Sequence, residues 1–411
     1  MLTSPARTVT DVATSWKGRP VVAITDLDVV ASNIRALKGI IGPDCSLMTV
    51  VKANAYGFSA VPIAKAAVDA GATALGVATV EEGVQLRDAG LTTVPILVFG
   101  AIGRDERARA ITHRLGIVVT NAAFARGLAK VARESLWKEQ VSVHLKIDTG
   151  MRRFGAAPNE VVDLARVITS LPELSWDGVM THHASADAPD PSFTHHQAAV
   201  FEACIAELRA AGFEKIPTQH VANTATTLRF PEYHRNMVRC GIATHGLEPD
   251  PDMQLPEEFR PTTMIHGRIA RVFDIVPGDV VGYGGTWSPE KPVKGALVAI
   301  GYADGYRRSL SNAGYMAIRG QRADVIGRVS MDQCVIRVPD GMEIEAGEPV
   351  VIVGDGSEAT AGAPTINELA VLSGGIAHDF IVGLADRLPR LYVREGELVA
   401  VCDLNGYREL T

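Results

Sequence analysis

The chain has 411 residues, which is too long for one ordinary hydrophobic core, so two domains are expected. Hydrophobic residues make up 47% of it and charged residues 21%, as in soluble globular proteins, and a net charge of -7 argues against a nucleic-acid-binding surface. No signal peptide or bilayer-spanning run is predicted, and five scattered cysteines without CxxC spacing predict a cytoplasmic protein with reduced thiols and no metal site.

The first part of the chain predicts strands that alternate with helices. A short strand at 21–24 precedes a helix that Thr25 or Asp26 caps and that runs towards Ile41. Eight apolar strand candidates follow, separated by amphipathic helices such as 60–70, 80–89 and 196–211; these strands lie at 47–52, 74–78, 95–99, 115–119, 141–147, 177–181, 219–222 and 236–240. This alternation predicts parallel βαβ units and an α/β fold, a (β/α)8 TIM-type barrel of about 250 residues.

The pattern changes after Gly246. Residues 248–258 are acidic and proline-rich, which predicts a linker, and one short helix is predicted from Thr365 to Ser373. Short β-type runs separated by Gly, Pro and Asp predict a mostly antiparallel β domain; they lie at 264–272, 293–300, 315–318, 323–329, 333–337 and 349–353. We therefore assign residues 1–255 to the barrel, with 1–25 able to pack on the β domain, and residues 256–411 to the β domain.

Polar side chains follow the predicted barrel strands, at the ends where a barrel of this kind carries its chemistry. The strand at 47–52 ends in Lys52. Burial lowers the pKa of a lysine, and the neutral amine can then form a Schiff base with an aldehyde cofactor, although an isolated lysine at a strand end more often snorkels to solvent. The functional interpretation depends on the polar residues of the same rim, which are Tyr56, Lys146, Arg153, His182, Asn223, Thr224 and Arg239.

A phosphate site is a further possibility beside the last predicted strand. Gly241 and Ile242 can bring backbone N–H groups close to an anion, and the hydroxyls of Tyr56 and Thr224 can add donors. A glycine read alone is more often a plain turn, so this interpretation also depends on its neighbours.

The segment Lys-Ala-Asn-Ala-Tyr-Gly at 52–57 resembles the pyridoxal phosphate attachment motif of alanine racemases. The resemblance continues in order through 146–151, 181–182, 222–224, 238–242, 282–284, 301–306 and 327–332. It covers nearly the whole chain and agrees with a barrel followed by a β domain. It implies a fold-type III enzyme that uses pyridoxal 5'-phosphate to interconvert L- and D-alanine, and a homodimer with shared active sites.

The resemblance also implies roles for the residues of the reaction centre. Lys52 would hold the cofactor and act as one acid–base group, and Tyr283 of the partner subunit would act on the opposite face of the substrate. His182, with Arg239 near it, would lower the pKa of that tyrosine. Arg239 would face the pyridine nitrogen, where an arginine that keeps its proton gives a weaker electron sink than a carboxylate partner.

Further binding roles follow from the same resemblance. Tyr56, Asn223, Thr224, Gly241 and Ile242 would surround the cofactor phosphate. Arg153 would reach the phenolic oxygen of the cofactor or the substrate carboxylate, Met331 would donate a backbone N–H to that carboxylate, and Tyr302 would line the substrate channel. Lys146 matches a lysine that is carbamylated in some relatives.

Three positions depart from the family pattern. His245 stands where tyrosine is common, and Arg152 replaces a small residue, usually glycine. His378 stands where an Asn-Tyr-Glu segment usually supplies a tyrosine that contacts the phosphate and narrows the pocket beside the substrate methyl group. Because histidine is smaller and more polar, an alternative substrate range that includes serine or larger amino acids is predicted beside alanine.

Two rival functions remain to be weighed. A decarboxylase of the same barrel-plus-β architecture would pair the pyridine nitrogen with a carboxylate, and Arg239 argues against it. A catalytically idle cofactor-binding protein would resemble the barrel alone, and a β domain carrying Tyr283 would have no purpose there.

Overall fold

The structure is a computed structural model that describes residues 9–410. The chain forms two compact units: the stretch up to Asn33, Tyr56–Pro62 and the chain from His245 onward form the β unit, and Ile34–Ala55 with Ile63–Thr244 form the barrel unit. The chain begins with helix α1 (Val9–Ser15), strand β1 (Val21–Asp26) and helix α2 (Leu27–Ile41). As predicted, Asp26 caps α2, because its Oδ1 accepts from the backbone N–H groups of Asp28 and Val29.

The barrel unit contains the eight parallel strands that the sequence predicts. They are β2 (Ser46–Val50), β3 (Ala74–Val77), β4 (Ile96–Val98), β5 (Gly116–Val119), β6 (Val141–Lys146), β7 (Leu174–Met180), β8 (Thr218–His220) and β9 (Met237–Cys240), in the order β8-β7-β6-β5-β4-β3-β2-β9. Backbone hydrogen bonds from Asn236 to Gln219 and from Arg239 to Ala222 bring β9 back beside β8. The sheet is therefore a nearly closed TIM-type barrel, which confirms the predicted fold class.

Within the described residues, seven helices each follow a barrel strand. They are α3 (Ala60–Asp69), α4 (Val80–Asp88), α5 (Arg107–Thr112), α6 (Ala122–Glu134), α7 (Val161–Thr169), α8 (Ser192–Ala210) and α9 (Thr224–Arg229). One layer of the barrel core consists of Met48, Ala74, Leu97, Val118 and Met180, contributed by five different strands. Among residues 9–410, no helix is both long and apolar enough to cross a membrane.

The β unit is built on one ten-stranded sheet that includes β1. Its other strands are β10 (Thr263–Ile275), β11 (Val293–Val298), β12 (Tyr315–Ile318), β13 (Gln321–Ile326), β14 (Cys334–Arg337), β15 (Pro349–Val353), β16 (Arg390–Arg394), β17 (Glu397–Asp403) and β18 (Gly406–Glu409). A second pairing of β10 with β11 closes the six strands from β10 to β15 into a barrel, and all pairings except β1 with β16 are antiparallel. Helix α10 (Ile366–Leu372) has the predicted capping box of Thr365 and Glu368, and α11 (Ala377–Val382) follows it.

Short 3-10 turns complete the described structure. They span Pro158–Glu160, Pro231–Tyr233, Ile242–His245, Tyr283–Gly285, Tyr302–Asp304, Arg308–Leu310 and Glu358–Thr360. Three of them carry residues that the sequence singles out as functional, so much of the chemistry lies on loops held by a rigid scaffold.

A buried carboxylate organises the loops of the β unit that carry Tyr302 and Met331. Asp304 accepts two hydrogen bonds from the guanidinium of Arg19, at 2.5 and 2.9 Å, and one from Arg387 at 2.7 Å. Burial raises the pKa of Asp304, but the hydrogen bonds from the two arginines outweigh it, and the pKa is lowered. The backbone N–H of the adjoining Ala303 donates to the Met331 carbonyl at 3.0 Å, so this ion network holds both loops together.

Candidate active site

On the barrel unit, two arginines lower the pKa values of two lysines. The pKa of Lys146 falls to about 8 through burial and then the charges of Arg239 and Arg153. The pKa of Lys52 is lowered by burial first and by Arg153 second, and Glu82 opposes this. Arg239 is only 4% exposed and forms no ion pair within residues 9–410. Arg239 is the buried charge of this group that no carboxylate pairs among the described residues, and such a charge favours a bound anion.

Backbone carbonyls hold Arg239 in place of a carboxylate. Its Nη1 donates to the carbonyl of His220 at 2.5 Å, and its Nη2 donates to the carbonyl of Thr181 at 2.9 Å and that of Val221 at 3.2 Å. Because arginine only donates, the ring Nδ1 atoms of His220 and His182, at 3.3 and 3.2 Å, must accept. Within the described residues the Nε–H has no acceptor, which suits a pyridine nitrogen.

The surroundings of His182 keep its imidazole neutral. Burial and then the charges of Arg239 and Arg153 lower the pKa of His182 well below its usual value. With Nδ1 accepting from Arg239, the ring proton of His182 lies on Nε2. His182 is therefore a neutral imidazole that can donate from Nε2.

Gln197 is a residue of this site that sequence reasoning missed. It is fully buried on α8, and its Nε2 donates to the carbonyl of His182 and to the Thr149 hydroxyl, each at 3.1 Å. Its Oε1 accepts from the backbone N–H of Ala184 at 2.8 Å. The signal in the sequence is a glutamine on the apolar face of an amphipathic helix, where a buried amide needs partners.

The polar residues after β8 and β9, which the sequence predicts to bind a phosphate, lie close together. The N–H of Gly241 donates to the Thr224 hydroxyl at 3.2 Å, and Ile242 begins a 3-10 turn. The side chain of Asn223 is occupied as the cap of α9, accepting from the N–H of Thr226 at 2.9 Å and donating to the carbonyl of His183 at 3.3 Å. Asn223 thus shapes the loop through its side chain. The Thr224 hydroxyl accepts from Gly241 and keeps its own proton to donate.

Strand β2 ends at Val50, two residues before Lys52, and not at Lys52 as the apolar run predicted. Lys52 instead begins a turn that extends to Tyr56, and Ala53, Asn54 and Ala55 within it have left-handed backbone angles. The side chain of Lys52 keeps contact with solvent in the single chain, although its surroundings remove enough water from the amine to lower its pKa. The lysine is thus presented by a turn at the end of the strand.

Tyr56 lies between two histidines of the β unit. Its ring centroid is 5.8 Å from that of His245 and 5.8 Å from that of His378, and Phe58 lies 4.8 Å from His245. His245 is 1% exposed, and neither of its ring nitrogens has a hydrogen-bond partner among residues 9–410. Burial and then His378 lower its pKa to about 3. A buried neutral imidazole without a partner indicates a hydrogen-bonding group that a ligand or water supplies.

Three predicted site residues of the β unit lie on its surface. Tyr283 is 72% exposed, Met331 52% and Tyr302 42%, although large apolar side chains are usually buried. No residue of the described chain covers them, so they are available to a second molecule.

Comparison with known proteins agrees with this architecture. Residues 25–249 match the alanine racemase N-terminal domain, and residues 262–392 match the alanine racemase C-terminal domain. An alanine racemase of Symbiobacterium thermophilum is 41% identical over 375 residues, covering 91% of this chain and 97% of that protein.

Solved structures show the same fold. Alanine racemase from Bacillus anthracis with bound L-Ala-P has a TM-score of 0.86 at 32% identity, covering 95% of this chain and 99% of that one. Alanine racemase from Bartonella henselae with covalently bound pyridoxal phosphate has a TM-score of 0.81 at 24% identity, covering 91% and 99%.

The barrel has a lysine and an unpaired arginine at its strand ends, and an antiparallel β domain follows it in the chain. This combination defines a pyridoxal phosphate enzyme that acts on amino acids. The chain belongs to the alanine racemase family. It is a pyridoxal 5'-phosphate-dependent isomerase that interconverts L- and D-alanine. The rival decarboxylase and the idle barrel protein do not account for a match that spans both domains.

Arg152 offers a test of the loop that carries Arg153. Its φ is 56°, in the left-handed region, and its N–H donates to Asp148 Oδ1 at 3.0 Å. Glycine adopts such angles without strain, so Arg152→Gly is expected to raise the free energy of unfolding by about 1 kcal/mol in denaturant titrations. The matched change Arg126→Gly, inside helix α6, is expected to lower it by about 1 kcal/mol. Equal destabilisation by both changes would contradict the expected strain at Arg152.

Proposed function

We propose that racemisation uses two acid–base groups, Lys52 and Tyr283 of the partner subunit, in active sites shared across a homodimer. The observation that carries the proposal is the buried Arg239, which no carboxylate pairs among the described residues, on a unit that carries Lys52 but lacks the exposed Tyr283. We assign cofactor binding to the barrel domain at 1–255 and the second base to the β domain at 256–411. The enzyme is cytoplasmic in this proposal, which suits its five free cysteines.

Pyridoxal phosphate, when bound, supplies an electron sink that makes the α-proton of the amino acid acidic. Lys52 holds the cofactor, and its lowered pKa suits an amine that accepts and returns a proton. The Nε–H of Arg239 would donate to the pyridine nitrogen and keep its proton. Tyr56, Thr224, Gly241, Ile242 and His378 would hold the phosphate, and Asn223 would shape the loop that carries Thr224.

His182 connects the arginine to the second base. Its Nε2–H donates to the phenolic oxygen of Tyr283 of the partner subunit and stabilises the deprotonated form. A tyrosine has an ordinary pKa of about 10, so such a donor is needed for base catalysis near neutral pH. Lys52 and this tyrosine then exchange the α-proton from opposite faces, one removing it and the other returning it.

Arg153 and the exposed loops of the β unit complete substrate binding. Arg153 pairs with the phenolic oxygen of the cofactor or with the substrate carboxylate, and the backbone N–H of Met331 donates to the same carboxylate. Tyr302 lines the entrance. The hydrogen-bond network around Asp304 supports the loops that carry Tyr302 and Met331. These loops therefore have fixed positions in each subunit before two subunits form the dimer.

We infer that Lys146 is carbamylated. Its amine is buried, its pKa is about 8, and within residues 9–410 no carboxylate pairs with it. Reaction of the neutral amine with carbon dioxide forms an N–C bond and releases one proton. The resulting anion would compensate the charges of Arg239 and Arg153.

Carbamylation is tested with 13C-labelled bicarbonate. The purified enzyme is expected to show one protein-bound carbamate resonance by NMR that Lys146→Ala lacks, and acetate is expected to restore part of the activity of that variant. The control Lys130→Ala, on the exposed face of α6, should keep the resonance. A spectrum without the resonance in the unmodified enzyme would overturn the inference.

Tyr283→Phe tests the two-base mechanism. The variant is expected to lose at least about 100-fold in kcat, because a positioned acid–base group contributes about 10²–10⁴-fold, while its cofactor absorbance is unchanged. Tyr315→Phe, in strand β12, is the control and should retain activity. Racemisation by Tyr283→Phe at the rate of the unmodified enzyme would rule out Tyr283 as a base.

A broader substrate range is the second candidate function. The observation that favours it is the pair of histidines around Tyr56, because His245 leaves both ring nitrogens without partners in the described structure. A side-chain hydroxyl of the substrate, or a water that it contacts, would find hydrogen-bonding groups here. Serine is therefore the first amino acid to compare with alanine.

The substrate range is tested by measuring D-product formation from L-alanine, L-serine and larger L-amino acids. If His378 widens the range, His378→Tyr is expected to reduce kcat/KM for serine about tenfold more than for alanine, since one lost polar contact is worth about 1–1.5 kcal/mol. Serine that is inert with the unmodified enzyme would leave alanine racemisation as the sole function.

A further inference from the structure

The backbone that follows Lys52 is left-handed over four residues. Ala53, Asn54, Ala55 and Tyr56 have φ angles of 51°, 55°, 52° and 57°, and none of them is glycine. For L-residues this conformation costs about 1–2 kcal/mol each, and it persists only where the surrounding structure enforces it. The strained turn therefore needs specific anchors.

One anchor is the carboxylate of Glu82. Its Oε1 accepts from the backbone N–H of Ala53 at 2.7 Å, and its Oε2 accepts from Ala78 at 2.6 Å and Thr79 at 3.2 Å. Glu82 also completes a capping box, since its own N–H donates to the Thr79 hydroxyl at 3.2 Å. One side chain thus ties the residue after Lys52 to the start of helix α4.

The other end of the turn is anchored separately, within the β unit. The carbonyl of Gly57 accepts from the buried Arg390 Nε at 2.6 Å, and the carbonyl of Phe58 accepts from the Tyr392 hydroxyl at 2.9 Å. Gly57 has a φ of 91°, and a Cβ there would lie 2.4 Å from the carbonyl oxygen of Ile381. The downstream end is therefore fixed. At the upstream end, the backbone N–H of Ala55 donates to the Val51 carbonyl at 2.8 Å, and Glu82 is the side chain that holds Ala53.

We propose that Glu82 is a positioning residue for Lys52, holding the left-handed turn that directs the lysine amine towards the cofactor carbonyl. The inference rests on the proposed role of Lys52. Glu82 is also the group whose charge opposes the lowering of the Lys52 pKa by burial and by Arg153. It therefore acts on both the direction and the protonation of the amine.

The geometry predicts how variants of Glu82 differ. Glu82→Ala removes both carboxylate acceptors, the one for Ala53 and the one for Ala78 and Thr79. Glu82→Gln keeps one acceptor, but its amide NH2 faces a backbone N–H, so either Ala53 or the α4 cap loses its partner. Thr79→Ala is a control that weakens the cap alone, at about 1 kcal/mol. Glu81→Gln is a second control, because Glu81 is an exposed neighbour that reaches only Arg109, at 3.4 Å.

The experiment measures how fast each variant, resolved of cofactor and then mixed with pyridoxal phosphate, develops the absorbance of the lysine-bound form. Borohydride reduction and peptide mass analysis identify the lysine. Glu82→Ala and Glu82→Gln are expected to slow attachment to Lys52 by about 10–100-fold, as small misplacements of reacting groups do, while Thr79→Ala and Glu81→Gln stay within about twofold.

A rescue variant separates positioning from general stability. Ala55→Gly removes left-handed strain, so adding it to Glu82→Ala is expected to restore part of the attachment rate. An unchanged rate in Glu82→Ala, or an equal loss in Thr79→Ala, would overturn the role of Glu82. Labelling of another lysine in the unmodified enzyme would instead overturn the proposed role of Lys52, so the two failures are distinguishable.

Discussion

The barrel unit is organised around a buried arginine that has no carboxylate partner in the described structure. Carbonyl oxygens at the ends of β7 and β8 hold Arg239, and its N–H groups force His182 and His220 to accept at Nδ1. His220 in turn contacts His144 at 2.8 Å, so one fixed cation sets the tautomers of three histidines. Burial and then the charge of Arg239 lower the pKa of Lys146. A buried cation without a carboxylate partner also favours anionic ligands.

Buried hydrogen-bonding groups of the β unit hold its own loops. Arg390 and Tyr392 hold the backbone just beyond the left-handed turn, and Asp304 ties together the loops of Tyr302 and Met331. In each case a buried hydrogen-bonding group fixes a loop that carries exposed or strained residues. Such support suits a site whose groups must keep their geometry when charge develops during proton transfer.

The sequence predicts the elements well where local pattern determines them. Most barrel strands are apolar runs bounded by turn signals, although β8 is Thr-Gln-His. Strands β16 to β18 escape prediction because charged residues such as Arg390 and Glu397 interrupt their alternation. Cationic residues at strand ends are predictable from the barrel, and their roles come from the family resemblance. The turn after Lys52 and the partners of Gln197 are not predictable, because they depend on contacts between residues distant in sequence.

Mixed dimers test the shared active site most directly. Lys52→Ala and Tyr283→Phe chains are each expected to be almost inactive, and dissociating and reassociating an equal mixture creates hybrids with one site that holds both native residues. Random pairing of an isologous dimer then predicts recovery of about a quarter of the activity of the unmodified enzyme. A mixture that stays as inactive as its components, although hybrid dimers are detected by native mass spectrometry, would contradict the shared site and its two bases.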